Sequence, residues 1–400
     1  MFEALAEPKV DAILGLMATF RADERADKLD LGVGIYKDAD GATPVMAAIK
    51  RAEARVHETQ TTKAYVGPAG SAPFCAAMIA QVFGADADTR RVRAVQSVGG
   101  SGALRILAEL LREARPDARI WVSDPSWPNH VPLLGAAGFG IRTYPYYDAA
   151  TGRVDIEAML GALGSAPEGD VVVLHGCCHN PTGADLSADE WRRVVEVLKA
   201  RSLFPMVDLA YQGFGDGLEE DAAAVRMIAA EMDELVVAAS CSKNFGVYRE
   251  RVGAALVVGR DETETTRAHG KLAGVVRANY SMPPDHGAAA TERVLSDADL
   301  NGAWREELEA MRVRMVGLRE AFAEALGKRS DSERFDYIAT QKGMFSRLPL
   351  STGEIERLRT EHGVYIVGDG RINVAGLPGD GLDRLADRIC TVMSGSGASA

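Results

Sequence analysis

The sequence predicts an α/β protein with a mainly parallel central sheet flanked by helices and a smaller α+β domain beside it. Three observations carry this. Short apolar runs alternate with amphipathic helical patterns through the middle of the chain, as in consecutive βαβ units. Most of those runs are nearly continuous rather than alternating, as in strands covered on both faces. After one long amphipathic stretch the pattern changes to short strands and a final helix.

The strand candidates, in order, are residues 119–122, 171–174, 204–207, 235–239 and 254–258. Residues 189–200 read as a helix between two of them, with Trp191, Val194, Val195 and Leu198 on one face. Residues 304–326 read as a single long helix, because Leu308, Met311, Met315, Leu318, Phe322 and Leu326 recur at three- and four-residue spacings. Its length suits a strut joining the two domains. Residues 337–390 carry the short strands and final helix of the smaller one. The expected division is an N-terminal arm (1–12), a small domain (13–42 plus 311–400) and a large domain (43–310). The tail from residue 394, SGSGASA, has the composition of a flexible linker.

Composition excludes several classes of function. A chain of 400 residues can bury a large core. A net charge of −12 argues against nucleic acid, which demands a basic face. There is no apolar run of about eighteen residues to cross a membrane, and the start, MFEALAEPKVDAI, lacks the apolar core of a secretory signal. Five cysteines, an odd and sparse number, indicate reduced thiols and a cytoplasmic location.

The chemistry gathers at the ends of the predicted strands, where ligands of parallel sheets bind. Residues 240–253, SCSKNFGVYRERVG, follow the run 235–239. The Lys243 amine can form a Schiff base with an aldehyde. Ser240, Ser242 and Arg251 can hold a phosphate, serine by its hydroxyl and arginine by its bidentate fork. Pyridoxal 5′-phosphate carries both groups. The competing reading is a solvated lysine, where most lysines are found. Residues 204–207 run into Asp208 and Tyr211, and 171–174 into HGCCHNPTG with Asn180. A catalytic pyridine requires an acid at its ring nitrogen, which suits Asp208. Tyr211 and Asn180 can donate to the ring oxygen. Singly, Asp208 is also readable as a helix cap and Asn-Pro-Thr-Gly as a turn. All three at strand ends of one sheet make the stronger case.

Residues 97–111, SVGGSGALRILAELL, form a glycine-rich turn opening a helix, a phosphate-binding arrangement. The rival is a dinucleotide fingerprint using Gly100, Gly102 and Asp124, and hence an NAD-dependent dehydrogenase. Arg105 stands at its third glycine. Ser240-x-x-Lys243 matches a serine-nucleophile motif, but its companions Ser-Asp-Asn and Lys-Thr-Gly are missing. A metal site at His175, Cys177, Cys178 and His179 is disfavoured, because adjacent residues of an extended chain point to opposite faces. No metal is expected.

GGSGALR, SDPSWPNH, HGCCHNPTG, DLAYQGF, SCSKNFGVYRERVG, VVRANYSMPP and GRINVAG occur in the order found in aspartate and aromatic aminotransferases. With FRADERADKLDLGVGIYKD near the start, the resemblance covers nearly the whole chain. These enzymes are fold-type I pyridoxal-phosphate transferases. The resemblance implies that Lys243 bonds the cofactor and shuttles a proton. Asp208 would hold the ring-nitrogen proton with support from His130. Tyr211 and Asn180 would bond the ring oxygen, and Trp127 would stack on the ring. Gly100, Ser101, Ser240, Ser242 and Arg251 would hold the phosphate, joined by Tyr65 of a neighbouring subunit. Arg371 would pair with the substrate α-carboxylate, near Gly34, Trp127 and Asn180. Arg277 would reach across a homodimer with shared active sites to a side-chain carboxylate. The bonds Asp124–Pro125 and Asn180–Pro181 would be cis.

The chain departs from the strict aspartate pattern at Met282, Ala64, Ser101 and Ile35, while Lys37 and Thr43 keep it. Loss of polar groups lowers the cost of burying an aromatic side chain. The resemblance therefore implies a ping-pong aminotransferase acting on aspartate or glutamate and on aromatic L-amino acids, with their 2-oxo acids. A strict aspartate aminotransferase is the nearest alternative.

Overall fold

The computed structural model describes residues 1–7 and 12–394. Part of the expected arm, residues 8–11, and the tail from residue 395 lie outside the described residues. The centre is a seven-stranded sheet. Its elements in chain order are β1 (Val92–Val98), α1 (Gly99–Ala114), β2 (Ile120–Asp124), β3 (Ile141–Pro145), β4 (Val171–His175), β5 (Phe204–Leu209), β6 (Leu235–Ser240) and β7 (Val252–Val258). Helices α2 (Glu262–Asn279) and α3 (Ala298–Ser330) follow. The strand order is β1-β7-β6-β5-β4-β2-β3. Only β7 runs against its neighbours, β6 and β1. The other six strands therefore end on one edge.

Strand composition explains why both faces are covered. Leu235, Val237 and Ala239 of β6 pack into one apolar cluster, and Val236 and Ala238 into the cluster on the opposite face. β7 divides in the same way. Residues of period two thus serve two helical layers, and the strands read as unbroken apolar runs. The second layer includes α1 and α2 through Leu104, Leu107, Leu272 and Val276.

Every predicted strand exists, within a few residues. β1 and β3 were not foreseen. The helix expected at 189–200 is Ala188–Ala200, held at its start by a Ser187–Glu190 capping box. The long helix is longer than expected, beginning at Ala298 with its end capped by the Asp297 carboxylate and continuing to Ser330. A third apolar cluster takes Leu31, Phe322, Leu326, Leu358, Ile372 and Ile389. It lies around the far half of α3 and two short strand pairs. Leu29–Asp30 runs parallel to Val364–Tyr365, and Phe345–Arg347 antiparallel to Arg371–Asn373.

The near half of α3 is tied to the loop after Lys243. Trp304, fully buried, stacks on Phe245 with ring centroids 4.4 Å apart. Its indole N–H donates to the Asn244 carbonyl at 2.7 Å. Trp304→Phe keeps the stacking but strands a buried carbonyl, and should lower stability by about 1–3 kcal/mol. Trp304→Ala should cost about 3–5 kcal/mol. Denaturant midpoints of the two variants against the parent check the difference; a Trp304→Phe variant as stable as the parent would remove the hydrogen bond from this account.

Candidate active site

The edge where six strands end holds a cavity that opens to solvent. Gly100, Ser101, Trp127, Asn180, Asp208, Tyr211, Ser240, Ser242, Lys243 and Arg251 all line it. Topology explains this. Asp208 lies on β5 itself, at the middle of the sheet. Lys243 follows β6, Asn180 follows β4, Trp127 follows β2, and Gly100 and Ser101 open α1 directly after β1. The bonds Asp124–Pro125 and Asn180–Pro181 are both cis.

One end of the cavity is built for an anion. No side chain caps the first turn of α1; the Gly99 N–H donates to the Arg251 carbonyl at 2.9 Å, and the next N–H groups of the turn, with the helix dipole, favour an anionic ligand. Ser240, Ser242 and Arg251 surround the same end. The backbone there is crowded. Gly99 has φ +66°, and a Cβ on it would sit 2.7 Å from Arg251 Nη2. Only glycine satisfies both the dihedral and the approach. Arg251 is itself left-handed, at φ +56°.

The other end holds a negative charge. Asp208 is 8% exposed. His130, fully buried, lies with Nε2 3.0 Å from Asp208 Oδ2. Ser126 Oγ lies 2.8 Å from His130 Nδ1 and 3.2 Å from His175 Nε2. Burial pushes the Asp208 carboxyl up. The hydrogen bond and charge of His130, with the charges of His175 and Lys243, outweigh it and hold Asp208 below the usual carboxylate range. Burial, then the neighbours His179 and His130, push His175 well below an ordinary histidine.

Lys243 is half-buried between the two ends, with Nζ 5.1 Å from the Tyr211 ring centroid. Burial lowers its pKa to about 8; Asp208 opposes this and Arg251 adds to it. Tyr211 is pushed above the usual phenol range, chiefly by burial. Its hydroxyl lies 3.5 Å from Asn180 Nδ2. Arg371 does not line the cavity, but its Nη1 donates to Asn180 Oδ1 at 3.3 Å and its Nη2 to the Gly32 carbonyl at 2.9 Å. Gly34 sits against the Phe345 ring, over which the Arg371 guanidinium also lies, 4.6 Å from the centroid.

Two expected residues are elsewhere within a single chain. Tyr65 is 90% exposed. Arg277, near the end of α2, is exposed and its Nη1 bonds the Ser281 hydroxyl. Neither lines the cavity, and nor do Met282 and Ile35. Cys177 and Cys178 do not point to opposite faces as strand alternation predicts. Cys178 has φ +52°, so the chain is not extended there. The Cys177 and Cys178 sulfurs and an Asp221 oxygen lie within 4.8 Å of one another. His175 and His179 turn away and face each other, 4.1 Å between centroids. Ser126 and the role of His175 were missed. Ser126 lies four residues before His130 in SDPSWPNH, in a loop and turn outside regular structure, so no periodicity announced the contact.

The dinucleotide reading fails on topology. β1 pairs only with antiparallel β7, so β1, α1 and β2 do not form adjacent parallel strands with a crossover helix. The sequence matches the family described as "Aminotransferase class I and II" over residues 26–389. The chain belongs to that family. It is 50% identical over 396 residues to an aromatic-amino-acid aminotransferase of Pseudomonas aeruginosa, covering 98% of this chain and 99% of that one. It is 43% identical to an aspartate aminotransferase of Escherichia coli, covering 98% and 100%. The solved structure of an aromatic-amino-acid aminotransferase from Burkholderia pseudomallei, covalently bound to pyridoxal phosphate, superposes with a TM-score of 0.96. It is 43% identical, with 98% of this chain and 99% of that one covered.

The Lys243 pKa of about 8 sets an expectation for the cofactor-free aminotransferase. Below that pH the amine is mainly charged, and above it mainly neutral and reactive. Reductive methylation followed across pH by mass spectrometry should give Lys243 a midpoint near 8, while exposed lysines stay protonated to about 10.4. A Lys243 midpoint in that higher range would show that burial does not govern its charge.

Proposed function

We propose that this aminotransferase moves an amino group between aspartate or glutamate and aromatic L-amino acids, with their 2-oxo acids, in a ping-pong cycle that uses pyridoxal phosphate. One observation carries the reading. A half-buried lysine of lowered pKa stands between an anion cup and an ionised, histidine-held carboxylate in a single cavity. The donor set fits the cofactor. Phosphate suits the uncapped α1 turn at Gly100 and Ser101 with Ser240, Ser242 and Arg251, and a protonated ring nitrogen suits Asp208. When bound, pyridoxal phosphate supplies an aldehyde to hold the amine and a ring to draw off the charge left at Cα.

The chain's own groups do the rest. His130 fixes and screens Asp208, so the carboxylate keeps its partner protonated. Tyr211 and Asn180 would offer donors to the ring oxygen, and Trp127 would cover a ring face. The Lys243 amine, its pKa lowered to about 8, would take the Cα proton and return it to the carbon of the cofactor's aldehyde group. Arg371 pairs with the α-carboxylate of every substrate through its planar fork. The names of the relatives support both substrate classes. The loss of polar groups at Met282 and Ala64 supports the aromatic one.

A homodimer with shared sites accounts for Tyr65 and Arg277. Both are solvent-facing in one chain, as are the apolar Phe2, Leu5 and Leu14 near its start. In this reading Tyr65 joins the partner's phosphate cup, and Arg277, with Met282 beside it, lines the partner's substrate pocket. A small domain (13–42 plus 311–400) beside a large one (43–310) is the division we propose; the third apolar cluster supports it, while Tyr36, Met311, Met315, Met344, Phe345 and Ala375 pack across that boundary with the first cluster. A cytoplasmic location agrees with five free, buried cysteines. Among the described residues no helix is long and apolar enough to cross a membrane.

Asp208→Ala should leave the protein folded and cripple transamination, because no carboxylate is then left to favour a protonated ring nitrogen; kcat of the cofactor-loaded variant against the parent measures it. Near-normal turnover would mean that Asp208 is a structural group.

Arg277→Leu should lower kcat/KM for aspartate by about 2–5 kcal/mol, the typical loss of a desolvated arginine–carboxylate pair. Phenylalanine should change by less than about tenfold, because the change removes charge and adds apolar surface. Arg371→Leu should damage both substrates alike. The measurement is kcat/KM for each variant with aspartate and phenylalanine. Equal losses for Arg277→Leu would assign it to structure, and failure of the parent enzyme with phenylalanine would leave a strict aspartate aminotransferase.

A further inference from the structure

Between the substrate arginine and the glycine beside it lies a residue that the proposed chemistry has not used. Asn373 is on the same short strand as Arg371 and is 0% exposed. Its side-chain amide donates to two carbonyls, those of Val33 and Ile35, each at 2.7 Å. Its Oδ1 accepts from the Ala375 N–H at 3.1 Å. Its backbone N–H donates to the Leu31 carbonyl at 2.7 Å. Both amide protons are spent on the residues flanking Gly34, and the side chain has no rotational freedom left.

The segment so held is not regular structure. Ile35 N–H turns back to the Val33 carbonyl at 3.0 Å, a tight turn about Gly34. Among the described residues the Gly34 N–H has no protein acceptor. The same segment also accepts from Arg371, through the Gly32 carbonyl. Its far end is fixed by the Tyr36 N–H, which donates to the Tyr248 hydroxyl at 3.0 Å. Across the strand pair Asn373 faces Phe345, the ring that lies beneath the Arg371 guanidinium and against Gly34. No other residue type of this size can replace the amide. Aspartate has no donor and would set a charge against two carbonyl oxygens, and leucine has no polar atom.

We propose that Asn373 is a positioning residue for recognition of the substrate carboxylate. It fixes the Val33–Ile35 turn, with the free Gly34 N–H, against the strand that carries Arg371. The two elements then present one preformed surface instead of two that must be ordered when substrate arrives. This rests on the aminotransferase reading above, because it assumes that Arg371 meets a carboxylate.

The test uses the full-length enzyme loaded with pyridoxal phosphate, as parent, Asn373→Ala and Asn373→Asp. The probe is succinate, a dicarboxylate without an amine, which binds and cannot react. Calorimetry gives its Kd, and the visible absorption of the enzyme reports cofactor content. Both variants should keep the cofactor, and their Kd for succinate should rise by about tenfold or more, as expected for two lost hydrogen bonds. kcat/KM for aspartate and phenylalanine should fall by a common factor carried mainly by KM, the mark of lost uniform binding. A cofactor-loaded variant whose succinate Kd stays within about twofold of the parent overturns the proposal. Loss of fold and cofactor in both variants also overturns it, since Asn373 would then be structural only. A parent that neither binds succinate nor transaminates would instead sink the aminotransferase reading, and this inference with it.

Discussion

A carboxylate removed from water stays ionised only where something offsets the lost hydration, and the rest of the site is arranged around that constraint at Asp208. The offset is local and layered. His130 reaches Asp208 at 3.0 Å, Ser126 holds the other side of that imidazole, and His175 stands beyond Ser126. Three strand ends contribute. Asp208 is on β5, His175 ends β4, and Ser126 and His130 follow β2, and these three strands lie side by side in the sheet. A parallel arrangement delivers such groups to one edge with no further device. An antiparallel one would have sent alternate strand ends to opposite edges. Asp208 therefore depends on the topology, and the protonated ring proposed as its partner depends on Asp208.

At the opposite end of the cavity the same economy appears in the backbone. α1 begins immediately after β1 without a capping side chain, so the groups that would bond a cap are left for an anion. The close crossing that makes this possible requires two glycines. Gly253 on β7 lies against Gly99, with a Cβ there 2.6 Å from the Gly99 carbonyl carbon, while Gly99 admits the Arg251 guanidinium. β7 is the one reversed strand, and reversal brings its first residues, next to Arg251, to the edge where the other strands finish. The antiparallel strand is thus part of the site's geometry and not an exception to the fold.

What the sequence made legible follows from the physics of each element. β5, β6 and β7 are apolar on both faces because both faces are covered, so they stand out. β1 does not, because Arg93, Gln96 and Ser97 interrupt it. Gln96 is fully buried and satisfied by distant groups, donating to the Pro284 carbonyl and accepting from the Ser71 N–H. Those partners are remote in sequence and leave no periodic trace. β3 is an edge strand, mostly exposed, and its alternation is too short to read. The cavity residues were found because motifs place them at strand ends. Ser126 acts through the His130 ring and Asn373 through the Val33 and Ile35 carbonyls, partners that only the folded chain brings to them. Cys177 and Cys178 escape strand alternation because they lie past the end of β4 and Cys178 is left-handed, where period two no longer holds.

The long helix explains how groups from two cores meet at one cavity. Its first half, through Trp304, Leu308 and Met315, packs with the sheet, and its second half, through Leu318, Phe322 and Leu326, packs with the third cluster. Arg319 sits just past that change, 1% exposed, and among the described residues it has no carboxylate partner. It donates instead to the carbonyls of Ile338, Lys342, Gly343 and Phe345 and to the Ser346 hydroxyl. Burial lowers its pKa to about 10, so it remains charged near neutral pH. A charge solvated by carbonyls fixes backbone more firmly than a flexible ion pair does, because each bond has its own direction. The backbone so fixed carries Phe345, which supports Arg371. Arg371 in turn reaches Asn180, on the loop after β4. The α-carboxylate proposed for Arg371 would therefore be held by the smaller core, while Lys243 and Asp208 act from the larger one. α3 keeps the two in register.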